Sequence, residues 1–165
     1  MFTRTLLLIC ISAFLFFSFG IAQGKEYTQS QSLAGLETVK IYFDVNVGNP
    51  QKLVLRLSLI DKTLSQLKAA GVKPEVVIAF RGKASQFITS GTGYVEEEEK
   101  LAKAEVHEWL ETFAKEGVHM EQCLMAADLQ GINPEDFRAE VEVTQNGYIS
   151  MIAYQNRGFS LVPMD

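Results

Sequence analysis

Val76-Val77-Ile78-Ala79-Phe80 runs without a polar break, and Arg81-Gly82 ends it. A strand with one wet face alternates apolar and polar residues. An unbroken run this short suits a strand covered on both faces, as in a parallel sheet between helix layers. The segments around it agree. Val39 to Val45 is rich in β-branched and aromatic residues and reads as a first strand. Gly48-Asn49-Pro50 follows, with Asn49 as N-cap and Pro50 at the first helical position. Leu53, Leu57, Ile60, Leu64 and Leu67 then recur at three-four spacing, and Gly71 stops that helix.

The same alternation continues to the end of the chain. A short helix is expected over Ala84 to Ile88, then a flexible loop at Ser90-Gly91-Thr92-Gly93. Glu96 to Lys115 reads as a long helix with Ala102, Val106, Trp109 and Phe113 inside. Val118 to Gln122 is a third strand and Leu124 to Leu129 a helix stopped by Gly131. Asn133-Pro134 starts a further helical turn. Val141 to Thr144 is a fourth strand, Tyr148 to Gln155 a helix after Asn146-Gly147, and Phe159 to Val162 a last strand. Strands joined by helical crossovers predict a three-layer α/β/α domain with a mostly parallel sheet of about five strands. Gly91 and Gly93 lack the strand-Gly-helix context and the Lys-Ser/Thr of a phosphate loop.

The amino terminus has a different character. Arg4 precedes an uncharged apolar stretch from Leu6 to Phe19, and Gly20-Ile21-Ala22 puts small residues before Gln23. That order predicts a signal peptide over residues 1–22. The alternative is an uncleaved membrane anchor, for which the run is shorter than the roughly 20 residues of a spanning helix. Residues 23–36 are polar and read as a flexible leader, and residues 37–165 as one domain. Removing residues 1–22 takes one Arg and no acid, so the formal charge moves from -5 to -6. An acidic domain of this kind argues against nucleic acid and anionic membrane surfaces as partners.

Cleavage also removes Cys10 and leaves Cys123 as the single thiol. A lone thiol in an exported domain forms no internal disulfide. It is buried and inert, paired with another chain, or chemically active. No C-x-x-C or His/Cys cluster points to structural zinc, and no organic cofactor is called for. Cys123 falls at the end of the third strand and the start of a helix. Free N–H groups and a positive dipole end there favour the thiolate. Arg81 ends the second strand on the same edge of the sheet, either as a solvated surface residue or as a cation that attracts an anionic sulfur species. Asn46, at the end of the first strand, is either a hydrogen-bond donor into the same crevice or a turn residue. Asp44 reads as a loop cap. His107 and His119 lie where neither easily pairs with Cys123, and Glu96 to Glu99 suits a helix amino terminus. Tyr148 to Tyr154 suits either core or a subunit contact.

Four pieces in order resemble the DsrE/DsrF-like family of sulfur-relay proteins, particularly its exported members. They are Val39 to Asn46 with Gly48-Asn49-Pro50; Val77-Ile78-Ala79-Phe80-Arg81-Gly82; Cys123-Leu124-Met125-Ala126-Ala127 with Gly131-Ile132; and Asn146-Gly147-Tyr148-Ile149-Ser150 through Tyr154-Gln155 to Gly158. The likeness covers roughly Glu37 to Pro163. It implies that Cys123, first in C-x-x-A-A-x-x-x-G-I, carries sulfur as a persulfide, with sulfur-donor and sulfur-acceptor proteins or small sulfur species as partners. It implies a homo-oligomer, trimer or hexamer, and the expected signal peptide with an exported relay partner favours the periplasm. Several relatives have His where this chain has Arg81. A non-catalytic binding or assembly module and a thiol redox sensor are the alternative functions.

Overall fold

The computed structural model describes residues 31–165, so the expected signal segment and most of the expected leader lie outside the described residues. Among the described residues five strands form one all-parallel sheet: β1 (Thr38–Val45), β2 (Lys73–Phe80), β3 (His119–Cys123), β4 (Glu142–Thr144) and β5 (Ser160–Pro163), in the order β4-β3-β2-β1-β5. The α-helices of the described residues connect or flank them: α1 (Pro50–Ala69), α2 (Lys100–Lys115), α3 (Leu124–Asp128) and α4 (Gly147–Asn156).

Local chemistry sets the helix ends. The Asn49 side chain accepts from Lys52 N–H at 2.8 Å, Pro50 takes the first position of α1, and Gly71 follows the helix at φ +79°. Ahead of α2, Glu96 to Glu99 form a reciprocal capping box. The long helix expected from Glu96 therefore begins at Lys100, after a 3₁₀ turn at Glu97–Glu99. The expected helix after β2 is likewise a 3₁₀ segment, Gly82–Ile88.

The pleat sorts side chains onto two faces. Ile41, Phe43, Val45, Ile78, Phe80 and Met120 join Leu53, Leu57, Ile60, Val106, Leu110 and Phe113 in the larger core, under α1 and α2. Each fully buried Leu or Ile there contributes about 1.5–3 kcal/mol relative to exposure. Tyr42, Val77 and Ala79 point the other way and pack with Phe159 and with Met151 and Tyr154 of α4. Asp44, Glu121 and Cys123 share this second face by the same alternation. The continuous apolar run of β2 is thus covered on both sides, as its sequence requires.

Candidate functional site

Cys123 is the last residue of β3, with an extended backbone (φ −75°, ψ 116°), and it points to the α4 side. The helix directly after it, α3, has five residues. The N–H aimed at the thiol comes instead from α4: Gly147 N–H donates to Cys123 Sγ at 3.3 Å. This corrects the expectation that the following helix supplies the donor. Asn146 sets the geometry by capping α4, its Oδ1 accepting from Tyr148 N–H at 2.9 Å. Gly147 then sits at the first helical position, where the N–H has no partner inside the helix. A Cβ at Gly147 would lie 2.9 Å from Cys123 Cβ and 3.3 Å from Sγ, so only glycine lets the helix come this close.

Cys123 is only 5% exposed, yet it is one of the residues that line a cleft of about 290 Å³. Met125, Ala126, Leu129 and Tyr148 make the cleft apolar, and Arg81, Lys83 and Gln130 add its polar groups. The structure brings Arg81 and Cys123 into one cleft. It does not bring in Asn46, which is not among the lining residues. Asn46 backs the turn after β2 instead: a Cβ on Gly82 would meet Asn46 O at 3.3 Å.

Arg81 is not a freely solvated cation. Its Nε donates to Asp44 Oδ1 at 2.6 Å and its Nη2 to Oδ2 at 2.5 Å, and its guanidinium lies 5.5 Å from the Tyr148 ring centre. Asp44 is therefore the buried partner of Arg81 rather than a loop cap, and its hydrogen-bonded carboxylate raises the Arg81 pKa further above the usual value. Glu121, the other buried carboxylate on this face, accepts from the Ser150 hydroxyl and lies 3.1 Å from His119 Nε2. Both buried carboxylates on the thiol's face are thus occupied by partners of their own.

The 3₁₀ segment that carries Gly82 and Lys83 is held from behind by α2. Lys103 is 1% exposed; its ammonium donates to Gln86 O at 2.8 Å and to the Thr89 hydroxyl, and burial pushes its pKa down to about 8. His107 Nε2 lies 3.0 Å from Thr89 O and its Nδ1 lies 3.3 Å from Arg138 Nη1. Those partners assign the proton to Nε2. Burial, and then the nearby charge of Arg138, hold His107 below its ordinary pKa. His107 is held by Thr89 and Arg138 and His119 by Glu121, and neither hydrogen-bonds Cys123. A larger groove, about 500 Å³, lies at the opposite end of the sheet, where Lys68 pairs with Glu116.

Sequence reasoning missed Gly147, Tyr148 and Lys83 as parts of this site. The Asn146-Gly147 pair was legible as a turn, but its contact with a thiol 24 residues earlier depends on β3 and β4 being neighbours.

Comparison with known proteins agrees with this architecture. An uncharacterized protein of Aquifex aeolicus (strain VF5) is 29% identical over 126 residues, 76% of this chain, and the chain spans 56% of that relative's length. The solved structure of MTH1491, a protein of unknown function from Methanobacterium thermoautotrophicum, superposes with a TM-score of 0.59 at 14% identity, over 76% of this chain and 98% of that one. A likeness at that identity speaks for the fold alone. The DsrE/DsrF-like family pattern matches residues 21–163, the whole of the sheet and the cleft with it, and the chain belongs to the DsrE/DsrF-like family.

Proposed function

We propose that this protein is a sulfur carrier or sulfurtransferase in which Cys123 accepts sulfane sulfur as a persulfide and hands it on. The observation that carries the reading is the cleft: Cys123, the one free cysteine among the described residues, lines it, with the Gly147 N–H aimed at the sulfur. The Cys123 thiolate attacks the outer sulfur of a donor persulfide. A new S–S bond forms at Sγ, the donor's S–S bond breaks, and its electron pair leaves on the donor thiolate. Attack by an acceptor thiolate on the outer sulfur of the Cys123 persulfide repeats the step in the other direction. Sulfur moves without net oxidation, so the cycle consumes no cofactor. The Gly147 donor and the apolar walls suit a sulfur anion shielded from bulk water.

The order of charge, apolar run and small residues at the amino terminus supports export, and an exported relay supports the periplasm. Sulfur-donor and sulfur-acceptor proteins or small sulfur species are the partners this reading requires. Homo-oligomerisation, as trimer or hexamer, is the assembly that family membership suggests. Tyr148, Ile149 and Ile152, exposed on α4, suit a subunit contact.

The low exposure of Cys123 favours a second reading, a non-catalytic binding module that keeps the fold and packs its thiol. Intact mass separates the two. The protein isolated from cells expressing the full chain is incubated with polysulfide or thiosulfate, with Cys123→Ser beside it. A gain of one sulfur atom on the wild type only, removed by reductant, is the expected result. No gain, with slow labelling by thiol reagents, hands the site to the second reading. A reductant-sensitive dimer instead marks a redox sensor.

A further inference from the structure

The chain is acidic overall, yet no carboxylate lines the Cys123 cleft among the described residues. Two cations do, Arg81 and Lys83. They are not equivalent. The guanidinium charge of Arg81 is matched by the two-point pair with Asp44. The Lys83 ammonium has no ion pair or hydrogen bond among the described residues. Lys83 is therefore the uncompensated positive charge of the cleft.

Its stem is also held in place. A Cβ on Gly48 would lie 2.6 Å from Lys83 Cβ and 2.8 Å from Lys83 Cδ, so the side chain lies along the bare backbone of the loop after β1. From behind, Lys103 and His107 fasten the same 3₁₀ segment through Gln86 and Thr89. A long side chain that lies along a surface loses less freedom on binding than one waving in water. Lys83 itself is exposed, so water screens its charge, and the apolar walls contributed by Met125, Leu129 and Tyr148 displace part of that water once a reactant sits beside them.

From this we infer that Lys83 is the specificity residue of the cleft and selects anionic reactants for Cys123. Resting on the carrier reading, it further assigns the donor to small sulfane-sulfur anions of the thiosulfate type. In that transfer the Cys123 thiolate bonds to the outer sulfur, the S–S bond of thiosulfate breaks, and its electron pair leaves with sulfite. Three negative charges enter and three remain, divided between the persulfide and sulfite. The ammonium of Lys83 offsets the repulsion as thiolate and dianion approach and accompanies the charge that departs on sulfite.

Two alkylating reagents of nearly equal size test the selectivity without any sulfur chemistry. Iodoacetate is an anion and iodoacetamide is neutral. The rate constants for Cys123 are measured with both, at low and high salt, in the wild type, Lys83→Gln and Lys83→Arg. Lys83→Gln is expected to lower the iodoacetate to iodoacetamide ratio about three- to tenfold, and any fall in thiolate fraction slows both reagents alike and cancels in that ratio. Lys83→Arg is expected to restore the ratio, and high salt to shrink the difference. A ratio unchanged in Lys83→Gln overturns the inference, as does a thiol that neither reagent reaches. Thiosulfate loading is then read by intact mass. A drop in Lys83→Gln extends the selectivity to the sulfur donor, and unchanged loading overturns that assignment. Wild-type protein that shows the alkylation ratio but takes up no sulfur from thiosulfate or polysulfide overturns the carrier reading and leaves the anion selectivity of Lys83 standing.

Discussion

The N–H of Gly147 is 3.3 Å from Cys123 Sγ, and the missing side chain of Gly147 is what permits the approach. Alanine in a helix is ordinarily about 1 kcal/mol better than glycine. Here the added methyl group would sit 2.9 Å from Cys123 Cβ, and neither neighbour is the far end of a flexible side chain. Gly147→Ala is expected to destabilise the fold by about 1–3 kcal/mol, as overpacking does. It should also shorten the lifetime of any persulfide on Cys123, because the start of α4 moves off the sulfur. Urea midpoints and a time course of intact mass check the two parts. A gain in stability would show that α4 does not approach this closely.

Asp44 and Arg81 form an asymmetric pair, since the carboxylate is buried and the guanidinium reaches the cleft. Removing the arginine strands a buried charge, and removing the acid leaves a cation that water can reach. Arg81→Gln is expected to cost about 2–4 kcal/mol and Asp44→Asn distinctly less. The double variant should recover part of the larger loss. Denaturant titration of the four proteins measures the coupling, and additive losses would mean that the pair contributes nothing as a pair.

His107 gives the fold a dependence on acid. It stays neutral because burial and the charges of Arg138 and Lys103 oppose a second proton. Its folded pKa therefore lies below the ordinary value. As pH falls through about 6.5, the unfolded chain takes up a proton that the folded chain refuses, so stability is lost at no more than about 1.4 kcal/mol per pH unit. Above that pH the group contributes no slope. His107→Gln keeps a donor for Thr89 O and does not titrate, so its stability should fall less than that of the wild type between pH 7.5 and 5.5. Equal losses in both proteins would remove His107 as a source of acid sensitivity.

Much of the fold was legible because its signals are local. The unbroken run ending at Phe80, the Asn49-Pro50 helix start and the glycines after α1 and α2 each act within a few residues. The site was legible only in part. Cys123 and Arg81 could be placed on one edge of the sheet because each stands at a strand end. Their partners did not, since Gly147 lies 24 residues from Cys123 and Asp44 lies 37 from Arg81. Strand order joins those pairs, and no local pattern encodes it. Of the two readings of Asn46, the structure favours the turn residue: it backs the turn at Gly82 and is not one of the residues that line the cleft.

Gly82 joins the two cations of the cleft, Arg81 before it and Lys83 after it. Its φ is +57°, in the left-handed region, and a Cβ there would press on Asn46 O at 3.3 Å. The left-handed conformation alone costs a residue with a side chain about 1–2 kcal/mol. Asparagine visits that region more readily than alanine or valine. The expected order of stability is therefore wild type, Gly82→Asn, Gly82→Ala, Gly82→Val, read from thermal or urea unfolding. The same substitutions twist the link between Arg81 and Lys83, so the iodoacetate to iodoacetamide ratio at Cys123 should fall along the same series. If stability falls but the ratio holds, the turn serves the fold and Lys83 finds its place without it. If both fall together, the turn after β2 sets the direction of the charge as well as the course of the chain.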